Sequence, residues 1–342
     1  MRKITTLKVF SIIMIVGLVF SCASTSNNSP EWILSPTSVY SDEEYLSAVG
    51  YGADRASAEN AAIAAITKTI KQNVKSTTLS TEKFSQTDKG WDNAKDYSNN
   101  VETYSDLVIS GIYIQDVYPV KKGKTTEYYA LALVNRTEAG NHYKSKITEL
   151  NAVIDEKIVD AYKSMGTFSS YSTLVEATEL AKENDYYLDI LAVINPKFYK
   201  ISLPNYGNAA TVEELARRCL SQIVIGFNVN GDMDGRIEAA FSKIFTEYGI
   251  KLAELSDSDS TYTIVADVSF TPLQMSSENK NKYIRFVVNA NLTEIKTGKI
   301  VLPFAISGRE AHLSESEAIQ RAIRTIENEI RKEFQVKFDT LF

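Results

Sequence analysis

Residues 45–74 read YLSAVGYGADRASAENAAIAAITKTIKQNV. The first part is a short strand, Tyr45–Tyr51, closed by Gly50 and Gly52. The remainder has helical spacing. Ala58, Ala61, Ala62, Ala65, Ile66, Thr69 and Ile70 recur at three- and four-residue intervals and form one inward face. Ser57 or Asp54 supplies its N-cap. A face dominated by alanine lets a helix lie very close to a sheet, so this stretch predicts one layer of an α+β arrangement.

The pattern recurs near the other end. Gly308 is followed by Ser314 and then by ESEAIQRAIRTIENEI at 315–330. Each copy reads as a strand ending in glycine, a polar turn, and a helix with inward Ala and Ile. Ser314-Glu315-Ser316-Glu317 is a capping box. Ala318, Ala322, Ile326, Ile330 and Phe334 continue it as one stripe.

Between the copies, Leu107–Val117 and Glu127–Val134 predict a hairpin turning at Lys121–Lys124. Ala139–Met165 predicts a helix. Residues 170–194 continue helical, with Asn184-Asp185 expected to break them into a helical hairpin. Pro196–Gly207 reads as a loop and as the boundary between domains. Beyond it come a helix at Thr211–Leu220, a strand at Gln222–Val229 and a helix at Arg236–Tyr248 capped by Gly249. Strands follow at Thr261–Phe270, Tyr283–Thr293 and Ile300–Gly308. Residues 76–102 have little periodicity and read either as an excursion or as a short strand plus a helix. The fold class is therefore α+β, with two small antiparallel or mixed sheets, each covered by helices and joined by a helical segment.

The N-terminus, MRKITTLKVFSIIMIVGLVFSC, carries Arg2, Lys3 and Lys8, then an apolar run from Val9 to Phe20 that ends at Ser21-Cys22. A basic segment before a short apolar one is a secretory signal pattern. The run is shorter than the roughly 20 residues that span a bilayer. Val19-Phe20-Ser21-Cys22 resembles a bacterial lipobox, with Phe20 bulky where a small residue is usual, as in the relaxed lipobox of spirochaetes. Cys22 is the expected lipidation site. An uncleaved anchor helix, and an ordinary signal with Cys22 incidental, are the alternatives. Ala23, not Asp, follows the cysteine, which leans toward the outer membrane. The expected organisation is 1–22 signal peptide, 23–29 tether, 30–165 first α+β domain, 166–207 helical hairpin and linker, and 208–342 second α+β domain.

The 342 residues carry a net charge of -6. Removing the three basic residues of the leader takes this to -9. An acidic surface does not favour nucleic acid or anionic headgroups. The chain has two cysteines, Cys22 and Cys219, so no intramolecular disulfide framework is expected once Cys22 is acylated. Cys219 shares a helical face with Val212 and Leu215 and is read as an inert core residue.

No catalytic pattern emerges. Asn230-Gly231-Asp232-Met233-Asp234-Gly235 imitates the first half of an EF-hand loop. Its twelfth position is Phe241, where a bidentate Glu is required, so a turn in which Asp232 or Asp234 caps the next helix is favoured. Arg309-Glu310-Ala311-His312 is expected in the loop before the last helix. One histidine without a second metal ligand or a nucleophile motif is weak support for catalysis. Gly50-Tyr51-Gly52 lacks the third glycine of a dinucleotide fingerprint. Among the 19 tyrosines, Tyr128-Tyr129 and Tyr186-Tyr187 are either binding surface or sheet filling.

Pro30-x-Trp32, the segment Tyr45-Leu46-x-Ala48-Val49-Gly50-x-Gly52, the Ala-rich helix Ala56–Ile70 and the two strands after it together resemble the LPP20 family of bacterial lipoproteins over residues 30–165. The same domain resembles the N-terminal domain of flagellar assembly proteins of the FlgT type. The C-terminal order of strand, helix, three strands and helix resembles the TolB N-terminal type of envelope domain. These resemblances imply an envelope location, binding or assembly roles, no cofactor and no shared catalytic residues. The expected function is a membrane-anchored envelope lipoprotein with a non-enzymatic binding, assembly or structural role. Its partners would be membrane lipid, through palmitate-type acylation of Cys22, and an envelope protein or cell-wall component. The alternative is a cell-wall or envelope hydrolase with a dispersed site near His312.

Overall fold

The computed structural model describes residues 29–85, 109–253, 259–274 and 280–341. Cys22 and the stretch 86–108 lie outside the described residues. Two compact units divide the chain. One holds the described residues up to Thr69 together with Ile109–Arg136, and the other holds those from Ile70 and from Thr137 onward.

In the first unit a 3-10 turn, Glu31–Ile33, and a short helix α1, Pro36–Val39, precede strand β1, Tyr45–Gly52. Helix α2, Arg55–Ser85, comes next, and β2, Ile112–Lys122, and β3, Thr125–Asn135, complete a sheet of order β1-β3-β2. Both pairings are antiparallel. The N-cap of α2 is Asp54, whose Oδ1 accepts from Ser57 N at 2.8 Å. Gly50 and Gly52 are where α2 meets β1. A Cβ on Gly50 would lie 2.1 Å from Ala62 N and 2.3 Å from Ala58 O, and one on Gly52 would lie 2.5 Å from Ala58 N. The glycines and the alanine face are two halves of one close contact, with Ala58 and Ala62 fully buried.

The second unit takes in the end of α2 from Ile70 and then three helices, α3, Arg136–Tyr162, α4, Phe168–Ile194, and α6, Ala209–Ser221. They share a core that includes Ile154, Leu174, Ala181, Val212 and Cys219. The structure corrects two expectations in this region. Helix α4 does not break at Asn184-Asp185. Asn184 is buried and donates to Asn151 Oδ1 and Tyr206 Oη, both at 2.7 Å, and Asp185 Oδ2 accepts Ala209 N at 2.9 Å. Tertiary partners thus take Asn184 Nδ2 and Asp185 Oδ2, while Asn184 Oδ1 is buried without a partner among the described residues, and the helix runs through unbroken. Pro196 does not open a loop either. It is the first residue of helix α5, Pro196–Ser202, and Asn195 Oδ1 caps that helix by accepting from Phe198 N.

A five-stranded mixed sheet completes this unit in the order β5-β4-β6-β7-β8. Its strands are β4, Val224–Asn230, β5, Lys251–Leu252, β6, Tyr262–Leu273, β7, Lys282–Glu294, and β8, Ile300–His312. Strand β4 runs parallel to β5 and β6, and the other pairings are antiparallel. Helix α7, Arg236–Glu247, helix α8, Glu315–Glu329, a π-turn, Ile330–Phe334, and α9, Gln335–Asp339, cover one face. Phe241, Phe245, Phe334 and Phe338 interlock edge-to-face beneath them. Ser314 Oγ accepts Glu317 N, as the capping box requires. Strand β8 runs four residues past Gly308, which does not end it, because a Cβ there would lie 2.5 Å from Phe286 Cζ. The glycine makes room for the ring across the strand. The α+β class, with a three- and a five-stranded sheet flanked by helices, is as the sequence predicts.

Candidate binding face

The outer face of the three-stranded sheet, opposite α2, is built from alternate residues of β1, β2 and β3. Trp32 is buried against Leu131 and Leu133 on this face. Its Nε1 donates to Asp116 Oδ2 at 3.2 Å. Asp116 reaches it because a bulge leaves Gln115 unpaired and resets the register between Ile114 and Asp116. Asp116 Oδ1 also accepts its neighbour's amide, Val117 N, at 2.8 Å.

Trp32 covers only part of the face. Next to Leu131 in register, Tyr51, Tyr129 and Tyr118 stand opposite one another on β1, β3 and β2. This places three phenol rings in a row about 10 Å long, two interstrand spacings. The rings of Tyr51 and Tyr129 are 5.5 Å apart and tilted by 52°. Tyr51 is 53% exposed, and Tyr129 and Tyr118 are half-buried. The next pair outward is Glu127 and Val120, and Lys122, one same-face step beyond Val120 on β2, pairs with Glu127 at 2.6 Å. Glu127 accepts a hydrogen bond from Tyr51, which holds that phenol above its usual range. Lys122 first, and then the Tyr51 hydroxyl, hold the Glu127 carboxyl below its own. The row therefore has a fixed polar border. It offers ring faces, hydroxyls and one ion pair, which is a binding inventory and contains no activated nucleophile.

The sequence-predicted candidates fall elsewhere. Cys219 is buried, its Sγ–H donates to Thr167 O at 3.7 Å, and burial pushes the thiol up. His142 is exposed, edge-on to Tyr143. His312 is not in a loop: it is the last residue of β8, paired with Lys282, and among the described residues its Nδ1 has no hydrogen-bond partner. Glu310 is held by Thr325 at 2.8 Å. The EF-hand-like turn is consumed structurally. Asn230 donates to Asp267, Asp232 caps α7 through Ile237 N and Glu238 N, and Asp234 accepts from Gln320. Among the described residues no group of three or more His, Cys, Asp or Glu could hold a metal ion. Of the paired tyrosines, Tyr129 joins the row. Tyr186 and Tyr187 are buried in α4, where Tyr187 donates to Glu183. Sequence reading missed Tyr51, Tyr118 and the Trp32–Asp116 bond. The available signal was parity: the three row tyrosines occupy the same face of three adjacent strands.

The family model described as LPP20 lipoprotein matches residues 30–135. The chain is similar to a minor lipoprotein from Acinetobacter baumannii, at 13% identity over 33% of this chain and 92% of that one, with a TM-score of 0.26. It is similar to a lipoprotein from Neisseria meningitidis, at 12% identity over 32% and 99%, with a TM-score of 0.25. A secreted protein from Helicobacter pylori aligns at 14% identity over 83% and 96%, with a TM-score of 0.35. No curated protein matches the chain. The resemblance to LPP20-type bacterial lipoproteins thus holds over part of the chain. Among the described residues no helix is long and apolar enough to cross a membrane.

Proposed function

We propose that this chain is a non-enzymatic envelope lipoprotein. In this reading residues 1–21 are removed as a signal, Cys22 becomes the first residue and carries the acyl chains, and 23–29 is a tether to the outer membrane. More than one acyl chain is needed for firm attachment, since a single chain gives only marginal binding. The aromatic row of Tyr51, Tyr129 and Tyr118 is the surface that meets a partner. The observation that carries the reading is the LPP20 lipoprotein match, which begins at residue 30, directly after the polar stretch that follows Cys22. A TolB N-terminal type of envelope domain in the C-terminal part belongs to this proposal and rests on the sequence resemblance alone.

Metabolic labelling with palmitate tests the anchor: label on the wild type and none on Cys22→Ala is expected, and label that survives the substitution refutes it. Photo-crosslinking in intact cells tests the row. A cross-linker at position 51 should give a discrete adduct that depends on Cys22. The same adduct from a cross-linker at Lys124, in the turn between β2 and β3, would remove the row's claim to be the contact.

A further inference from the structure

The five-stranded sheet has a second face, opposite α7 and α8, that takes no part in the aromatic row. Its side chains come from alternate residues of β4, β6, β7 and β8, and about half are exposed, the rest half-buried. A polar outer face is ordinary for an antiparallel sheet and by itself implies nothing. Two features are not ordinary. Arg285 and Arg309 stand directly opposite each other on β7 and β8, flanked by Thr271 and Ser307. Among the described residues neither makes an ion pair or a side-chain hydrogen bond. Like charges directly opposite in a sheet destabilise it. This pair is kept on a chain of net charge -6 that holds 43 acidic residues. The second feature is the carpet next to the pair. Asn228, Asn289, Asn291, Ser269 and Ser307 make no side-chain hydrogen bond among the described residues, and the charged member of that carpet, Asp267, is held by Asn230.

We propose that this face binds an acidic glycan, with a sugar carboxylate seated between Arg285 and Arg309 and the hydroxyls lying along β7 toward Thr293. Two guanidinium forks on directly opposed residues can share one carboxylate, which would relieve the repulsion between them. Amides and hydroxyls both donate and accept, as a hydroxyl-rich chain requires. From Arg285 to Thr293 the strand offers about 27 Å, room for several sugars. A protein partner fits less well, because the apolar side chains Val265, Val287 and Tyr283 of this face are half-buried and each is separated from the next by polar neighbours, not gathered into one centre. A membrane surface fits less well, because headgroup recognition uses clusters of four to eight basic residues and this face has two. The proposal does not rest on the aromatic row or on the lipid anchor.

The test uses the full-length chain in detergent and titration calorimetry with short oligogalacturonates. Their fully methyl-esterified forms keep the hydroxyls and remove the charge. Binding of the acid form that weakens with salt, and weakens at least tenfold in Arg285→Gln/Arg309→Gln with an unchanged melting temperature, is expected. Arg217→Gln/Arg218→Gln, which removes the α6 arginines paired with Glu213 and Glu214, should leave it unchanged. Equal binding of the methyl ester, or of the Arg285/Arg309 double variant, overturns the proposal. Tighter binding of polyglutamate or of phosphatidylglycerol vesicles overturns the choice of a glycan.

Discussion

Gly50→Ala adds one methyl group where β1 and α2 touch. The new Cβ would sit 2.1 Å from Ala62 N and 2.3 Å from Ala58 O, whereas ordinary contact begins at 3.4 Å. Both obstacles are backbone atoms, so no side chain can rotate away. The helix must retreat by about 1.3 Å, the difference between those distances. A gap of 0.5–1 Å already forfeits about a quarter to a half of each dispersion contact. The contacts at stake include Ala58, Ala62 and Ile66, all at most 2% exposed. Overpacking typically costs 1–3 kcal/mol, and a backbone clash puts this case at about 3 kcal/mol or above. The readout is urea unfolding followed by Trp32 fluorescence in a Trp91→Phe background, since the chain has two tryptophans. Gly123→Ala is the control, at φ +65 with nothing within 4 Å, and should cost only about 1–2 kcal/mol of left-handed strain. A Gly50→Ala loss below that of Gly123→Ala would refute the claim that the glycine exists for the helix approach.

Asp185 should make stability fall with rising pH. Burial first, opposed by the Ala209 amide and aided by Asp189, raises its pKa from 3.8 to about 7. A carboxyl raised on folding stabilises fully below about pH 4, and that contribution is lost as pH climbs through 7. The ceiling is about 4 kcal/mol at 1.36 kcal/mol per pH unit. The residue keeps some solvent contact, so about 2 kcal/mol is expected. Asp185→Asn, which can still accept from Ala209, should flatten the profile and gain that amount at pH 8 in urea melts at pH 5 and 8; an unchanged slope refutes this. Asp116→Ala should cost about 1–2 kcal/mol by stranding the Trp32 N–H, and Asp116→Asn should restore most of it. Equal losses in both would mean the hydrogen bond is not the cause. Cys219→Ala should cost roughly 1 kcal/mol or a little more of packing, and the native thiol should resist a thiol-specific dye until unfolding. Rapid labelling of the folded chain would contradict its burial.

The local rules that were legible in the sequence were those whose partners lie within a few residues. Asp54, Asp232 and Ser314 cap the helices after them because an N-cap needs only its own next turn. The alanine face of α2 was legible for a related reason: composition reports how closely a helix can approach. The misread elements share the opposite cause. Asn184-Asp185 looks like a helix breaker until Asn151, Tyr206 and Ala209, distant in sequence, are seen to take its polar atoms. Pro196 has two local meanings, breaker and first helical residue, and the cap by Asn195 selects the second. Gly308 looks like a strand end because the ring that occupies its missing side chain belongs to Phe286, on another strand.

The candidate surfaces were illegible for a stricter reason. A tyrosine in a strand has the same local signature whether it fills a core or lines a surface. What distinguishes Tyr51, Tyr118 and Tyr129 is that three separate strands bring them into one register row, with Tyr118 and Tyr129 packed against the Trp32 cluster and Tyr51 exposed at the end of the row. The bulge at Gln115 helps to set that row. With the same residues and no bulge, Gln115 would oppose Leu131, every β2 residue beyond it would slip by one, and Tyr118 would oppose Tyr128 and turn to the helix side. Deleting Gln115 takes away the one extra residue, so Asp116 should still oppose Leu131 and Tyr118 should still oppose Tyr129, with the Trp32 bond and the row kept. Chemical-shift perturbations confined to the part of β2 around Ile114 and Asp116, with the Trp32 indole proton near its wild-type shift, are the expected result. A deletion variant whose Trp32 indole proton moves to the position seen in Asp116→Ala would show that the count of residues in β2 does not set the face.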